Sequence, residues 1–149
     1  MIITDFYTSP DREHWLSQLR LCDWRAGPYL CYLIDSGKFY ETLGDSSKLL
    51  LLTENEKLLS FCALTETDQV DTPLTPWIGF VYTYPEARGR RLMGILIEEA
   101  KKIAADRGFD TVYLTTDHIG LYEKYGFEFV GMMKERSGED TRIYKIKTR

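Results

Sequence analysis

Histidine and cysteine are scarce in this chain: two histidines, His14 and His118, and three cysteines, Cys22, Cys31 and Cys62, with no CxxC pair. A zinc site is built almost entirely from such residues, so no metal centre is expected. The three thiols are expected to be buried and free, in a reducing cytoplasm. Surplus positive charge is missing too. Lys and Arg total 19 against 23 Asp and Glu, a net charge of −4. Nucleic-acid binders usually carry a basic footprint, and no nucleic-acid partner is expected. No apolar run approaches the roughly 20 residues that span a bilayer, so no membrane span is expected either. The opening stretch MIITDFYTSPDREHW has neither a basic leader nor an apolar core and does not read as a signal peptide. Internal repeats and low-complexity tracts are absent.

What is present fits one ordered domain over residues 1–149: 44% of the residues are apolar and 13% aromatic. Ile2 to Tyr7 reads as a strand, after which Ser9 can cap a helix with Pro10 at its first position. A second helical region falls within Arg25 to Tyr40, interrupted by Pro28 and Gly37. KLLLLT (Lys48 to Thr53) and KLLSFCALTE (Lys57 to Glu66) flank the turn ENE as a buried hairpin. After the polar link TDQVDTPLTP, WIGFVYTY (Trp77 to Tyr84) is rich in aromatic and β-branched residues and reads as a central strand. Leu92, Leu96, Ala100, Ile103 and Ala104 then mark one face of a long helix, which Gly108 closes. FDTVYLTT is a further strand. Asp117 is placed to cap a short helix through HIGLYEKYG, and FEFVGMM and TRIYKIK form the last hairpin around SGED.

Charge is concentrated at one place. The stretch RGRRLMG, Arg88 to Gly94, holds three arginines and two glycines between the central strand and the long helix. The first turn of a helix leaves N–H groups unpartnered and carries about half a positive charge. Cations there are disfavoured by a few tenths of a kcal/mol to ~1 kcal/mol each. A cluster of them is explained if an anion binds, and phosphate fits the forked guanidinium geometry. The spacing is neither a P-loop nor GxGxxG. A second constellation, GLYEKYGFEFVG, carries Tyr122 just before a strand; taken alone, Tyr122 reads as a packing residue.

Taken together and in this order, RGRRLMG, an amphipathic helix, a strand and LYEKYGF resemble the GNAT superfamily, the Gcn5-related N-acetyltransferases. The resemblance is close from Trp77 to Gly131, and the order of the flanking elements agrees. It implies an α/β fold with a mixed, mostly antiparallel sheet of about six or seven strands. About four helices flank that sheet, which is splayed between its fourth and fifth strands. It also implies acetyl-CoA as cosubstrate, with its pantetheine arm lying along Val81, Tyr82 and Thr83. The pyrophosphate would rest on the amides from Gly89 to Gly94, which covers Arg90, Arg91, Leu92 and Met93, with Arg88 beside them. Tyr122 matches the family's tyrosine that donates to the departing thiolate. A small-molecule or peptide amine would attack directly in a ternary complex, and many relatives pair as homodimers.

The chain departs from the family pattern in three places. Two later loop glycines are replaced by Arg91 and Met93, and Gly94 comes one residue late. The asparagine that many relatives carry after the fifth strand is missing from TTDHIG, where Thr115 or Thr116 could substitute. The strand WIGFVYTY offers no carboxylate to act as base. Glu66, Asp68 and Asp71 lie near the expected substrate entrance, and His118 has the titration range of a base; each reads equally as a solvated loop residue. The expectation is an acetyl-CoA-dependent N-acetyltransferase, or alternatively a non-catalytic CoA-binding regulatory module on the same fold.

Overall fold

A computed structural model describes all 149 residues. Seven strands form one sheet in the order β1-β2-β3-β4-β5-β7-β6: β1 (Ile2–Asp5), β2 (Lys48–Glu54), β3 (Lys57–Thr65), β4 (Trp77–Thr83), β5 (Thr111–Thr116), β6 (Glu128–Lys134) and β7 (Asp140–Lys147). All neighbours run antiparallel except β4 and β5. The helices are α1 (Arg12–Leu19), α2 (Gly27–Asp35), α3 (Phe39–Leu43) and α4 (Leu92–Asp106). No helix is long and apolar enough to cross a membrane.

The leucine run of β2 divides between two cores because alternate strand residues face opposite sides of a sheet. Leu49 and Leu51 join Trp15, Leu19, Leu30, Leu33 and Phe39 under α1 to α3. Leu50 and Leu52 join Leu92, Leu96, Ala100 and Ala104 of α4 on the other face. Phe61 and Ala63 of β3 go with the first group, Cys62 and Leu64 with the second. A strand buried on both sides has no polar positions to spare, which is why these segments read as continuous apolar runs.

The apolar stripe of α4 packs as its spacing predicts. Gly108 follows the last turn at φ 91°, and the Phe109 N–H donates to the Ala104 carbonyl at 3.0 Å, closing a left-handed cap. Two sequence expectations are corrected. Ser9 caps no helix: its hydroxyl takes the Asp11 N–H at 3.1 Å in a tight turn, and α1 starts at Arg12 without a side-chain cap. Asp117 caps nothing either: the helical turn begins only at Tyr122, and the Gly120 N–H that an Asp117 cap could take goes to the Glu123 carboxylate at 3.1 Å. Gly120 at φ 88° prolongs the irregular link, and only the short 3-10 turn Tyr122–Tyr125 is helical.

Candidate active site at the splayed strands

β4 and β5 share a single register pair, Trp77 with Tyr113, and then separate. A bulge drives them apart. Phe61 and Ala63 of β3 pair with Tyr82 and Gly79, so Phe80 and Val81 together oppose Cys62 alone. Ile78 and Val81, three residues apart, consequently pack on the same core, which an unbroken pleat would forbid. Phe80 adopts φ 50°, a left-handed conformation that costs a bulky residue about 1–3 kcal/mol. From Gly79 to Thr83 the edge of β4 has no paired residue on β5.

The fork opens into a cavity of about 980 Å³. Of the positions expected to contact a cofactor, Val81, Tyr82, Thr83, Arg88, Gly89, Arg91, Leu92 and Met93 line it; Arg90 and Gly94 do not. Arg90 turns outward, 3.8 Å from Glu54. Gly94 lies beneath Tyr125, where a Cβ would stand 3.1 Å from the ring.

The residues at the two missing loop glycines solve the steric problem differently. Arg91 itself takes the left-handed conformation, φ 54°, immediately before α4. Met93 is half-buried against the α4 core, so its side chain turns inward. No side chain caps α4, and the Gly94 N–H already bonds the Arg91 carbonyl at 3.1 Å. The amides of Leu92 and Met93 therefore stand at a positive helix end without a side-chain acceptor. The guanidinium of Arg88 is held by the Thr83 carbonyl at 3.0 Å and lies over the Tyr82 ring at 5.6 Å. Arg91 lies over Tyr125 at 5.0 Å. Such a set of donors could take up an anion such as phosphate.

Tyr122 lines the same cavity and is otherwise buried, edge-on to Phe127 at 5.8 Å. Burial, with Cys62 and Tyr125 beside it, pushes its phenol well above the ordinary tyrosine range. It therefore stays protonated, as a donor.

The three candidate acids separate cleanly. Glu66 is pinned by the backbone and hydroxyl of Ser46, both at 2.7 Å, which hold its carboxyl below the usual range. Asp71 is exposed and paired with Arg136 at 2.9 Å. Asp68 alone of the three lines the cavity. It accepts from the Thr115 hydroxyl at 2.7 Å, and burial raises its carboxyl above the usual range. Thr115 and Thr116 both reach the cavity, but Thr115 is committed to Asp68 and Thr116 to the His118 backbone. His118 stands exposed at the rim.

Sequence reasoning missed one wall of the site. The link between α1 and α2 brings Trp24 flat over Tyr82, centroids 6.1 Å apart, and edge-on to Phe80 at 6.5 Å. Tyr29 of α2 reaches Phe80 at 6.2 Å. Asp23 accepts a short hydrogen bond from the Tyr82 hydroxyl. Burial first, and then Asp23, push that phenol up to about 12. Only the aromatic and acidic residues of CDWRAGPY hinted at a role for this link.

A family model described as the acetyltransferase (GNAT) family matches residues 3–127. No curated protein matches the sequence. Among solved structures, the aminoglycoside 6'-N-acetyltransferase from Enterococcus faecium superposes with a TM-score of 0.72 at 16% identity, over 100% of this chain and 98% of that one. An acetyltransferase from Streptococcus agalactiae gives 0.66 at 22% identity, over 98% and 97%. A GNAT family acetyltransferase from Elizabethkingia anophelis, solved with acetyl-CoA bound, gives 0.64 at 18% identity, over 98% and 97%. At these identities the likeness is one of fold.

Proposed function

Because the chain belongs to the acetyltransferase (GNAT) family, we propose that it is an acetyl-CoA-dependent N-acetyltransferase acting on a primary amine. One observation carries this reading. A single cavity runs from the uncapped start of α4, along the unpaired edge of β4, to the Tyr122 phenol.

Each part has a use in acyl transfer. The amides of Leu92 and Met93, with Arg88 and Arg91, would hold the pyrophosphate. The free edge of β4 around Val81 and Thr83 would accept the pantetheine arm as an added strand. The amine would attack the thioester carbonyl directly, since Cys62 is sealed in the core and the other two thiols are buried among apolar side chains. As the carbon–sulfur bond breaks, Tyr122 would donate to the sulfur. A thiol has an ordinary pKa near ~8.5, well below that of this phenol, so full proton transfer from Tyr122 runs uphill. A hydrogen bond to the developing thiolate is the form of donation that this phenol supports. The fold shared with an aminoglycoside 6'-N-acetyltransferase and the acids Asp23, Asp68, Asp117 and Glu135 on the cavity wall support a cationic small-molecule or peptide acceptor.

The test is titration with acetyl-CoA by calorimetry, followed by thiol release with amines. The reading expects binding and amine-dependent release, with release falling in Tyr122→Phe while binding persists. A non-catalytic CoA sensor would bind acetyl-CoA and be indifferent to that substitution. No binding at millimolar acetyl-CoA would refute both.

A further inference from the structure

Glycine in the middle of a central strand is unfavourable unless another group needs the space, and Gly79 sits two residues into β4. The group is Asp68. A Cβ on Gly79 would stand 3.2 Å from the Asp68 Oδ1. On the opposite side, the Asp68 Oδ2 accepts from Thr115 at 2.7 Å. Gly79 lies two residues beyond Trp77, and Thr115 two residues beyond Tyr113, the last paired row of β4 and β5. The Asp68 carboxylate thus fills the first row of the fork, one residue before the bulge at Phe80.

Its backbone is fastened to the β6–β7 hairpin. The Arg136 guanidinium donates to the Asp68 carbonyl at 2.9 Å, and the Arg136 N–H to the Gln69 carbonyl at 2.9 Å. Val70, buried, bridges to Glu135. Contacts to the hairpin and to β5 thus hold this loop carboxylate in place.

We propose that Asp68 is the general base of the transfer reaction, taking a proton from the acceptor's ammonium group at the mouth of the fork. This rests on the acetyltransferase reading above. An alkylammonium with a pKa near ~10.4 has no free lone pair at neutral pH. One proton passes from nitrogen to Asp68, and the freed lone pair forms the new C–N bond as the C–S bond breaks. The second nitrogen proton balances the one that sulfur takes up, and Asp68 returns its proton to solvent. Burial raises the Asp68 carboxyl, which suits a base, while Thr115, the Gln69 amide and Arg136 pull it back. The other charged or titratable groups on the surrounding elements are Asp23 and Arg25 before α2, Tyr82 on β4, Tyr113 on β5, Asp117 and His118 after β5, and Glu135 on the last hairpin. Glu135 is itself raised by burial and by its acidic neighbours, but it belongs to the β6–β7 hairpin and not to the row beside the bulge.

The experiment compares wild type, Asp68→Asn, Thr115→Val and Gly79→Ala. Acetyl-CoA affinity is read by calorimetry, and kcat/KM by thiol release across pH with spermidine, lysine ethyl ester and kanamycin. Asp68→Asn is expected to keep the acetyl-CoA affinity and lose about 10²- to 10⁴-fold in kcat/KM at neutral pH. The loss should shrink as pH rises toward the amine's own pKa, a recovery that no structural defect produces. Thr115→Val removes a bond that stabilises the carboxylate, so its acid limb should move to higher pH. Gly79→Ala should lower kcat at unchanged acetyl-CoA affinity. If wild type turns over but Asp68→Asn follows it at every pH, or if Asp68→Asn fails to fold and Thr115→Val leaves the acid limb unmoved, the proposal is overturned alone. A wild type that binds no acetyl-CoA, or acetylates none of the three amines, overturns the reading beneath it.

Discussion

The two sides of the cavity are built in opposite ways. The side assigned to the cofactor comes from one continuous stretch, Val81 to Met93, in which a strand edge, a turn and a helix start follow one another. The side proposed to face the acceptor is assembled from separate segments: Asp23 to Tyr29, Asp68 and Gln69, Thr115 to His118, and Glu135 and Arg136. A local site built on backbone groups can accommodate changed side chains, and Arg91 and Met93 leave the helix-start amides without a side-chain acceptor. A dispersed site depends on particular side chains meeting, and one substitution can dismantle it.

The comparison breaks most visibly at Tyr122, which stands where the two sides join. Tyr122→Phe is expected to lower kcat by about 10²-fold at an unchanged acetyl-CoA dissociation constant. Because burial raises this phenol, the wild-type rate should show no loss from tyrosine ionisation up to about pH 10, where an exposed tyrosine is already half ionised. A basic limb traced to Tyr122 well below that pH would remove it from the donor role.

The cofactor side is sharpened next by two neighbouring arginines. Arg91 lines the cavity and Arg90 does not. Arg91→Glu puts a repelling charge where the phosphates would sit and is expected to weaken acetyl-CoA about 10-fold or more. Arg90→Glu changes a side chain that turns away from the cavity toward Glu54, where exposed pairs contribute about 0–1 kcal/mol, so its affinity should change about fivefold at most. Equal losses in calorimetry would mean that the arginines act only as a diffuse field.

These differences follow what the sequence could disclose. The spacing of Leu92, Leu96, Ala100 and Ala104, closed by Gly108, announces α4 because helical contacts repeat every three to four residues. The resemblance carried by RGRRLMG and LYEKYGF led to the splayed sheet, and all the residues it named except Arg90 and Gly94 line the cavity. On the acceptor side the sequence offered Asp68 only as one of three acids near the expected entrance, and nothing in the chain says that it fills the space left by Gly79, eleven residues later. Asp117 misled because a capping residue is recognised by type, whereas the cap is decided by the next backbone turn. Here the turn starts later, at Tyr122, and Glu123 holds the Gly120 N–H.

The smallest expected effect lies at Trp24. Its indole is parallel to the Tyr82 ring within 6° and closes the cavity on the side away from α4. Aromatic pairs contribute about 0.5–1.5 kcal/mol beyond their buried area, equivalent to about 2- to 12-fold in an equilibrium constant. Trp24→Leu keeps apolar bulk while discarding the flat face. It should therefore raise KM for the amine within that range and leave kcat and the acetyl-CoA dissociation constant nearly unchanged. Arg88 contacts Tyr82 from the cofactor side, so the same ring serves both walls. If Trp24→Leu weakened acetyl-CoA as much as the amine, Tyr82 would be coupling the two sides, and the division between a local and a dispersed half of the site would fail at that ring.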